Sequence, residues 1–158
     1  MDSYNEKFMT EAIRLAVENV KSGKGGPFGA VVVKDGKIIS AGVNLVTSSN
    51  DPTAHAEVIA IRNACKELRS FQLDGCEIYA SCEPCPMCLG AIYWARPEKL
   101  YFAAAKKDAA DIDFDDSFIY EEIHVPFEER SIHTTHINHK DALAPFIEWK
   151  NKIDKIGY

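Results

Sequence analysis

Residues 77–103 have the sequence EIYASCEPCPMCLGAIYWARPEKLYFA, and this stretch decides the fold class. It begins with a predicted strand, Glu77–Ser81, continues with a predicted short buried helix, Pro86–Ala95, and ends with another predicted strand, Leu100–Ala103. A strand, a helix and a strand in this order predict a parallel crossover, with the helix against one face of a sheet. The stretch therefore indicates an α/β domain.

Upstream of this unit, the sequence predicts a β-hairpin. Two runs rich in β-branched residues, Ala30–Lys34 and Lys37–Val43, flank the pair Asp35-Gly36. An Asp-Gly pair readily adopts the positive φ angles of a two-residue turn, so the two runs are expected to pair as antiparallel strands. Apolar residues at helical spacing precede the hairpin, and a further helix is predicted over His55–Leu68.

Downstream of residue 103, the pattern predicts a helix over Ser117–Val125, a fifth strand over Ser131–Ile137 and an amphipathic terminal helix over Leu143–Ile156. The complete order predicts a single domain over residues 1–158. Its expected architecture is α/β with three layers, α/β/α, around a mixed five-stranded sheet. The hairpin contributes the antiparallel strand of that sheet.

Charge and composition exclude several classes of protein. The 158 residues fit one domain, and 46% apolar with 27% charged residues is the composition of a folded chain rather than a disordered one. The net charge is −6, and the only adjacent basic pair, Lys106-Lys107, precedes seven acidic residues between Asp108 and Glu122. Nucleic-acid binding needs clustered basic groups, so neither nucleic acid nor an anionic membrane is an expected partner. Residues 1–6 lack the pattern of a signal peptide, and we expect a cytoplasmic location.

The cysteines point to a metal or redox site. Five cysteines lie at positions 65, 76, 82, 85 and 88, and an odd number without an export signal does not indicate a disulfide framework. The segment Cys85-Pro86-Met87-Cys88 is a C-x-x-C pair at a predicted helix start, and His55-Ala56-Glu57 lies at another. One histidine and two cysteines are ligands that suit Zn²⁺.

Three ligands, His55, Cys85 and Cys88, would leave one zinc position open for water, which is typical of catalytic sites. Glu57 follows the histidine by two residues and does not share its helix face, so it can take a proton from that water without binding the metal. The combination H-x-E and P-C-x-x-C is the signature of zinc nucleobase deaminases. The alternative is a structural zinc module for protein interaction, with Cys82 as the fourth ligand.

Along its whole length, the chain resembles the cytidine-deaminase-like zinc deaminases, and within them the bacterial guanine deaminases. Five segments carry the resemblance: GGPFGA at 25–30, NDPTAHAE at 50–57, SCEPCPMC at 81–88, AIYWAR at 91–96 and FDDSF at 114–118. The PFGA and CEPCPMC segments also occur in tRNA adenosine deaminases. The FDDSF segment and the end of the chain are typical of guanine deaminases.

This resemblance implies a cytidine-deaminase-like fold, a Zn²⁺ cofactor and the hydrolytic deamination of guanine to xanthine and ammonia. It implies catalytic roles for Glu57 and for one carboxyl group of the pair Asp115-Asp116, with Asp116 favoured. It assigns contacts with the purine base to Phe28, Asn44, Ala56, Trp94 and Tyr158. It also implies a homodimer that exchanges residues 141–158, so that Tyr158 reaches the pocket of the partner.

Another reaction stays open on the sequence alone. Deamination of adenosine in tRNA, or of another small base or nucleoside, would use the same zinc signature. The acidic stretch after Lys107 disfavours RNA. The sequence does not decide among small aminated rings, because that selectivity depends on the shape of the pocket.

Overall fold

The chain divides into two units, which adjoin in the sequence between Asp116 and Ser117. The structure, a computed structural model, describes residues 4–158. The first unit holds four strands: β1 (Gly29–Lys34), β2 (Lys37–Val43), β3 (Cys76–Cys82) and β4 (Lys99–Ala104). They form one sheet in the order β2-β1-β3-β4, in which β1 is antiparallel to both neighbours and β3 is parallel to β4. The mixed sheet is therefore confirmed.

The predicted hairpin is also confirmed. Asp35 and Gly36 join β1 to β2 with φ angles of 50° and 69°. Positive φ at both central residues is typical of a type I′ turn, whose twist matches that of the paired strands.

Helices cover both faces of the sheet. The first unit contains α1 (Glu6–Lys21), α2 (Val46–Ser49), α3 (Ala56–Leu68), α4 (Pro86–Ala95) and α5 (Lys106–Ala110), of which α1, α3 and α4 pack on the sheet. Alternate residues of β1 point to opposite faces. Val31 and Val33 pack with Phe8 and Met9 of α1, whereas Ala30 and Val32 belong to the core that α3 and α4 complete. The predicted three layers are present in this unit.

A glycine allows α3 to lie directly on the sheet. A Cβ atom at Gly42 would lie 2.1 Å from the carbonyl oxygen of Ala56 and 2.6 Å from the nitrogen of Ala60. Only a residue without a side chain permits this approach. Gly42 therefore fixes the first turn of α3 against β2, and that turn carries His55 and Glu57.

The prediction that Pro86–Ala95 is a buried helix was right in its bounds and wrong in its burial. Cys88, Ile92 and Ala95 are buried, but Tyr93 is 75% exposed and Trp94 is 65% exposed. A helix of this length buries one stripe against the sheet and leaves the rest of its surface outside, even when the whole segment is apolar.

The second unit contains α6 (Ser117–His124), a 3₁₀ turn (Phe127–Glu129) and α7 (Ala144–Asn151). The helix predicted at Ser117 is confirmed. The terminal helix is shorter than the predicted Leu143–Ile156. Lys152 leaves the helical conformation with ψ at 119°, and Lys155 Nζ donates to the carbonyl of Lys150 at 2.7 Å.

The fifth strand is not among the four that the structure contains between residues 4 and 158. Residues 131–137 are irregular, and the N–H of Ser131 donates to the Glu122 carboxylate at 3.0 Å. Alternation of apolar and polar residues makes a strand only where a neighbouring strand supplies the ladder.

Between residues 4 and 158, every helix is too short or too polar to cross a membrane. The cytoplasmic location stays a prediction.

Candidate active site

Two helix starts bring the predicted metal ligands together. His55 is the N-cap residue of α3, and Cys85 is the N-cap residue of α4. Pro86 occupies the first turn of α4, where its missing N–H costs nothing, and its ring fixes the backbone that leads to Cys88. The backbone N–H groups of a helix start and its dipole favour negative charge, which suits two thiolates.

The three side chains form a compact group that fits zinc. The Nδ1 atom of His55 lies 3.6 Å from Cys85 Sγ and 3.4 Å from Cys88 Sγ. All three ligand atoms fall within 4.8 Å of one another. A tetrahedral ion with ordinary Zn–S and Zn–N bonds places such atoms about 3.6 Å apart. The observed separations therefore match a three-ligand zinc site.

The first cysteine of the pair is disposed to ionise. Hydrogen bonds from Cys88 and then from His55 stabilise the thiolate of Cys85 and lower its pKa to about 4, although burial opposes this. A metal ligand must be a thiolate, so a low pKa removes most of the cost of deprotonation at neutral pH.

Glu57 is a buried carboxyl group beside these ligands. It is 8% exposed, and its Oε2 atom accepts a hydrogen bond from Cys88 Sγ at 3.4 Å. Burial raises the pKa of this carboxyl above its usual value, and hydrogen bonding opposes the shift. An acid whose pKa is shifted toward neutrality both accepts and returns a proton readily. Glu57 thus has the position and the proton affinity expected of a general base.

Cys82 does not belong to this group. Its Sγ atom donates to the carbonyl of Ala105 at 3.7 Å, and burial raises the pKa of its thiol to about 11. A neutral thiol that faces a backbone carbonyl is a poor zinc ligand. Within residues 4–158, the metal-binding group contains only His55, Cys85 and Cys88, so the geometry disfavours the structural zinc module.

Two of the predicted base contacts lie on neighbouring loops. Asn44 is 6% exposed, and its Oδ1 atom accepts from the N–H groups of Gly26 and Val46, each at 3.3 Å. Phe28 meets the ring of Phe114 edge to face, with ring centroids 5.0 Å apart. The sequence predicted no role for Phe114, although it opens the FDDSF segment that carried part of the resemblance.

Asp116 is partly buried, and its surroundings resist its ionisation. Burial raises the pKa of this carboxyl, and the negative charge of Cys85 raises it further. A carboxyl group that holds its proton more tightly than usual is suited to donate it to a leaving amine.

The remaining predicted contacts have roles that stay predictions. Ala56 is fully buried as the first residue of α3. Trp94 is on the outer side of α4, and Tyr158 at the end of the second unit is 71% exposed.

A three-layer α/β domain with a histidine and two cysteines at two helix starts, beside a buried glutamate, defines a hydrolytic zinc enzyme that deaminates a ring. Residues 2–104 match the zinc-binding region of cytidine and deoxycytidylate deaminases, and the chain belongs to that family. The sequence is 58% identical to guanine deaminase of Bacillus subtilis (strain 168), over 98% of this chain and 99% of that protein.

The chain is also similar to a solved structure and to an enzyme that acts on tRNA. The X-ray structure of the Bacillus subtilis guanine deaminase superposes with a TM-score of 0.96, at 57% identity, and covers 100% of this chain and 99% of that one. The tRNA-specific adenosine deaminase of Aquifex aeolicus is 45% identical, over 65% of this chain and 67% of that protein. The fold is thus cytidine-deaminase-like, and the cofactor is zinc.

Proposed function

We propose that this protein is a guanine deaminase, which hydrolyses guanine to xanthine and ammonia. The observation that carries the proposal is the position of Glu57, whose Oε2 atom lies 3.4 Å from Cys88 Sγ, beside the three residues that could hold zinc. Three zinc ligands and a carboxyl group that transfers protons are what the addition of water to an aminated ring requires.

Guanine is favoured over adenosine in tRNA for two reasons. The similarity to guanine deaminase runs along nearly the whole chain, whereas the similarity to the tRNA enzyme covers 65% of it. The net charge of −6 also opposes the phosphate contacts that an RNA substrate requires. A free purine base asks only for a small pocket with a few polar groups.

Glu57 carries the first proton of the reaction. A Zn²⁺ ion, when bound, would lower the pKa of a water molecule on it from ~15.7 to about 7. Glu57 accepts the proton of the water that adds to C2 of guanine, and it delivers that proton to the ring nitrogen N3. A second proton must reach the amine at C2 before the C–N bond breaks and ammonia leaves. The hydroxyl group added at C2 gives up this proton as it becomes the carbonyl of xanthine, and Glu57 or Asp116 passes it to the amine, since both carboxyl groups have a raised pKa.

Asn44 and Phe28 orient the base for this addition. Because the Oδ1 atom of Asn44 already accepts two backbone N–H groups, its Nδ2 group is the end of the amide directed to a substrate acceptor. Phe28, held edge to face by Phe114, packs against the purine. A base fixed on two sides keeps C2 beside Glu57.

A homodimer with exchanged tails is the second part of the proposal. The first unit has an open apolar groove of about 580 Å³, to which α1 contributes Ile13, Val17 and Val20. Leu143, Phe146 and Ile147 of the second unit are more than half exposed. Apolar surface of this kind is usually covered by another molecule, and exchange of residues 141–158 between two copies would cover both.

The test is a screen for ammonia release with guanine, guanosine, adenine, cytosine, cytidine and a tRNA anticodon hairpin. We expect turnover with guanine and none with the hairpin. Turnover of the hairpin without turnover of guanine would contradict the proposal. Asp116→Asn should impair turnover more than Asp115→Asn, because Asp116 is partly buried whereas Asp115 is exposed. The opposite order would assign the role to Asp115.

A further inference from the structure

Asn19 is a buried polar residue for which the zinc site has no direct use. It lies in the last turns of α1 and is 3% exposed. Its Nδ2 group donates to the carbonyl of Gly26 at 2.9 Å and to the carbonyl of Asn44 at 2.8 Å. Two carbonyl acceptors fix which end of the amide is nitrogen. The Oδ1 atom is buried without a hydrogen-bond partner among residues 4–158.

A buried asparagine at position 19 lowers the stability of the fold if its side chain only fills the core. A buried polar atom without a partner is unfavourable, and an aliphatic residue on α1 would fill the same space. The gain must therefore come from the two carbonyl groups that the amide joins. They belong to segments 18 residues apart in the chain, which meet beside the base-binding residues.

The two segments are tied together at several points. The N–H of Gly26 donates to Oδ1 of Asn44 at 3.3 Å, and the N–H of Asn44 donates to the carbonyl of Phe28 at 3.1 Å. At Gly25, a Cβ atom would lie 2.1 Å from the carbonyl oxygen of Asn44. The loop that contains Gly25 and Gly26 thus passes Asn44 at a distance that only glycine permits. Asn19 donates a hydrogen bond to each of the two loop segments where they cross.

We propose that Asn19 is a positioning residue, which sets the orientation of Asn44 and Phe28 toward the purine without touching it. The proposal rests on the proposed function, since it takes those two residues as the base contacts. The amide of Asn19 fixes the carbonyl of Asn44, and the N–H of Gly26 fixes its side chain. Without the bridge, the segments separate and the Nδ2 group of Asn44 loses its direction.

The first experiment tests the bridge without any substrate. Asn19→Ala removes both donors, and Asn63→Ala is the matched control, because the amide of Asn63 donates to the carbonyl of Ala41 at 3.0 Å, between α3 and β2. Hydrogen exchange of the Gly26 and Asn44 amides should become at least about tenfold faster in Asn19→Ala and stay unchanged in Asn63→Ala. Unchanged exchange at both amides in Asn19→Ala would overturn the proposal.

The second experiment separates positioning from a loss of folded enzyme. In zinc-loaded protein, Asn19→Ala should raise KM for guanine about tenfold, the effect of one substrate hydrogen bond, while kcat per bound zinc changes less than about threefold. In an Asn44→Ala background, Asn19→Ala should raise KM by a smaller factor than it does in wild type, because the amide side chain that it orients is gone and only Phe28 is left to position. A fall in kcat alone, or an undiminished effect in that background, would overturn the proposal.

The two experiments also distinguish this proposal from the proposed function. If the wild-type protein releases no ammonia from guanine, the proposed function fails, and the exchange rates still decide whether the bridge exists. If the wild-type protein is active and the KM of Asn19→Ala is unchanged, guanine deamination stands and the role of Asn19 is refuted.

Discussion

Replacement of Glu57 by glutamine removes the proton carrier and leaves nearly everything else in place. Glutamine has the same size and can occupy the position that Glu57 holds, with Oε2 3.4 Å from Cys88 Sγ. An amide neither takes a proton from water nor gives one to N3. Loss of a general base typically lowers kcat by ~10²–10⁴-fold, which corresponds to about 3–5 kcal/mol of activation free energy.

The same change should not destabilise the fold. Burial raises the pKa of Glu57, which means that the folded protein disfavours the ionised carboxylate relative to the unfolded chain. At neutral pH the wild-type protein therefore bears an ionisation cost that a neutral amide avoids. We expect Glu57→Gln to unfold at the wild-type urea concentration or a higher one.

The assay is steady-state ammonia release from guanine, with zinc measured on the same samples. Glu67→Gln is the matched control, because Glu67 lies on the same helix and is exposed. It should retain wild-type kinetics. Zinc at one ion per chain with a kcat within about tenfold of wild type in Glu57→Gln would refute the role of Glu57, since a general base contributes more than that.

Four further variants test the metal site, the tail and the core. Cys88→Ala should lose its zinc and Cys82→Ser should keep it, as elemental analysis would show; zinc lost from Cys82→Ser would restore the structural module. Deletion of Tyr158 alone should leave folding, zinc binding and the dimer intact. It should lower kcat/KM for guanine by more than about tenfold, because the pocket loses an aromatic cover. Unchanged kinetics, or a fully active monomer by light scattering, would contradict the exchanged tail. Burial raises the pKa of Tyr79 from 10.0 to about 12. The unfolded chain loses this proton first, so the stability advantage of wild type over Tyr79→Phe should shrink between pH 10 and pH 12, and a constant difference in urea unfolding would contradict this.

The sequence predicted the helices and strands that are long enough to show a periodic pattern of apolar residues. The bounds of α4 were predicted to the residue, because Pro86 starts the helix and Arg96-Pro97 ends it. The helices α2 and α5 contain four and five residues, too few for a helical period, and they were missed. The fifth strand depends on a neighbour that no local pattern specifies.

In the site, too, residues that belong to a local sequence motif were predicted, and a residue whose contacts are distant in the sequence was not. The residues His55, Cys85 and Cys88 were predicted because their spacing carries the chemistry. Asn19 left no such signal, since its partners are backbone carbonyls 7 and 25 residues away. An amphipathic pattern says that a position faces the core, and it says nothing about which carbonyl groups a buried amide will meet.

The groups proposed to hold zinc and move protons lie at the starts of two helices, and the first turn of α3 packs directly on the sheet at Gly42. The groups proposed to recognise the base, Phe28 and Asn44, sit on connecting loops. Substitutions in the loops can therefore change which ring is accepted while the apparatus for adding water stays as it is. This separation gives the fold a way to acquire new substrates in small steps, because substitutions in the loops leave the proposed zinc ligands and Glu57 unchanged.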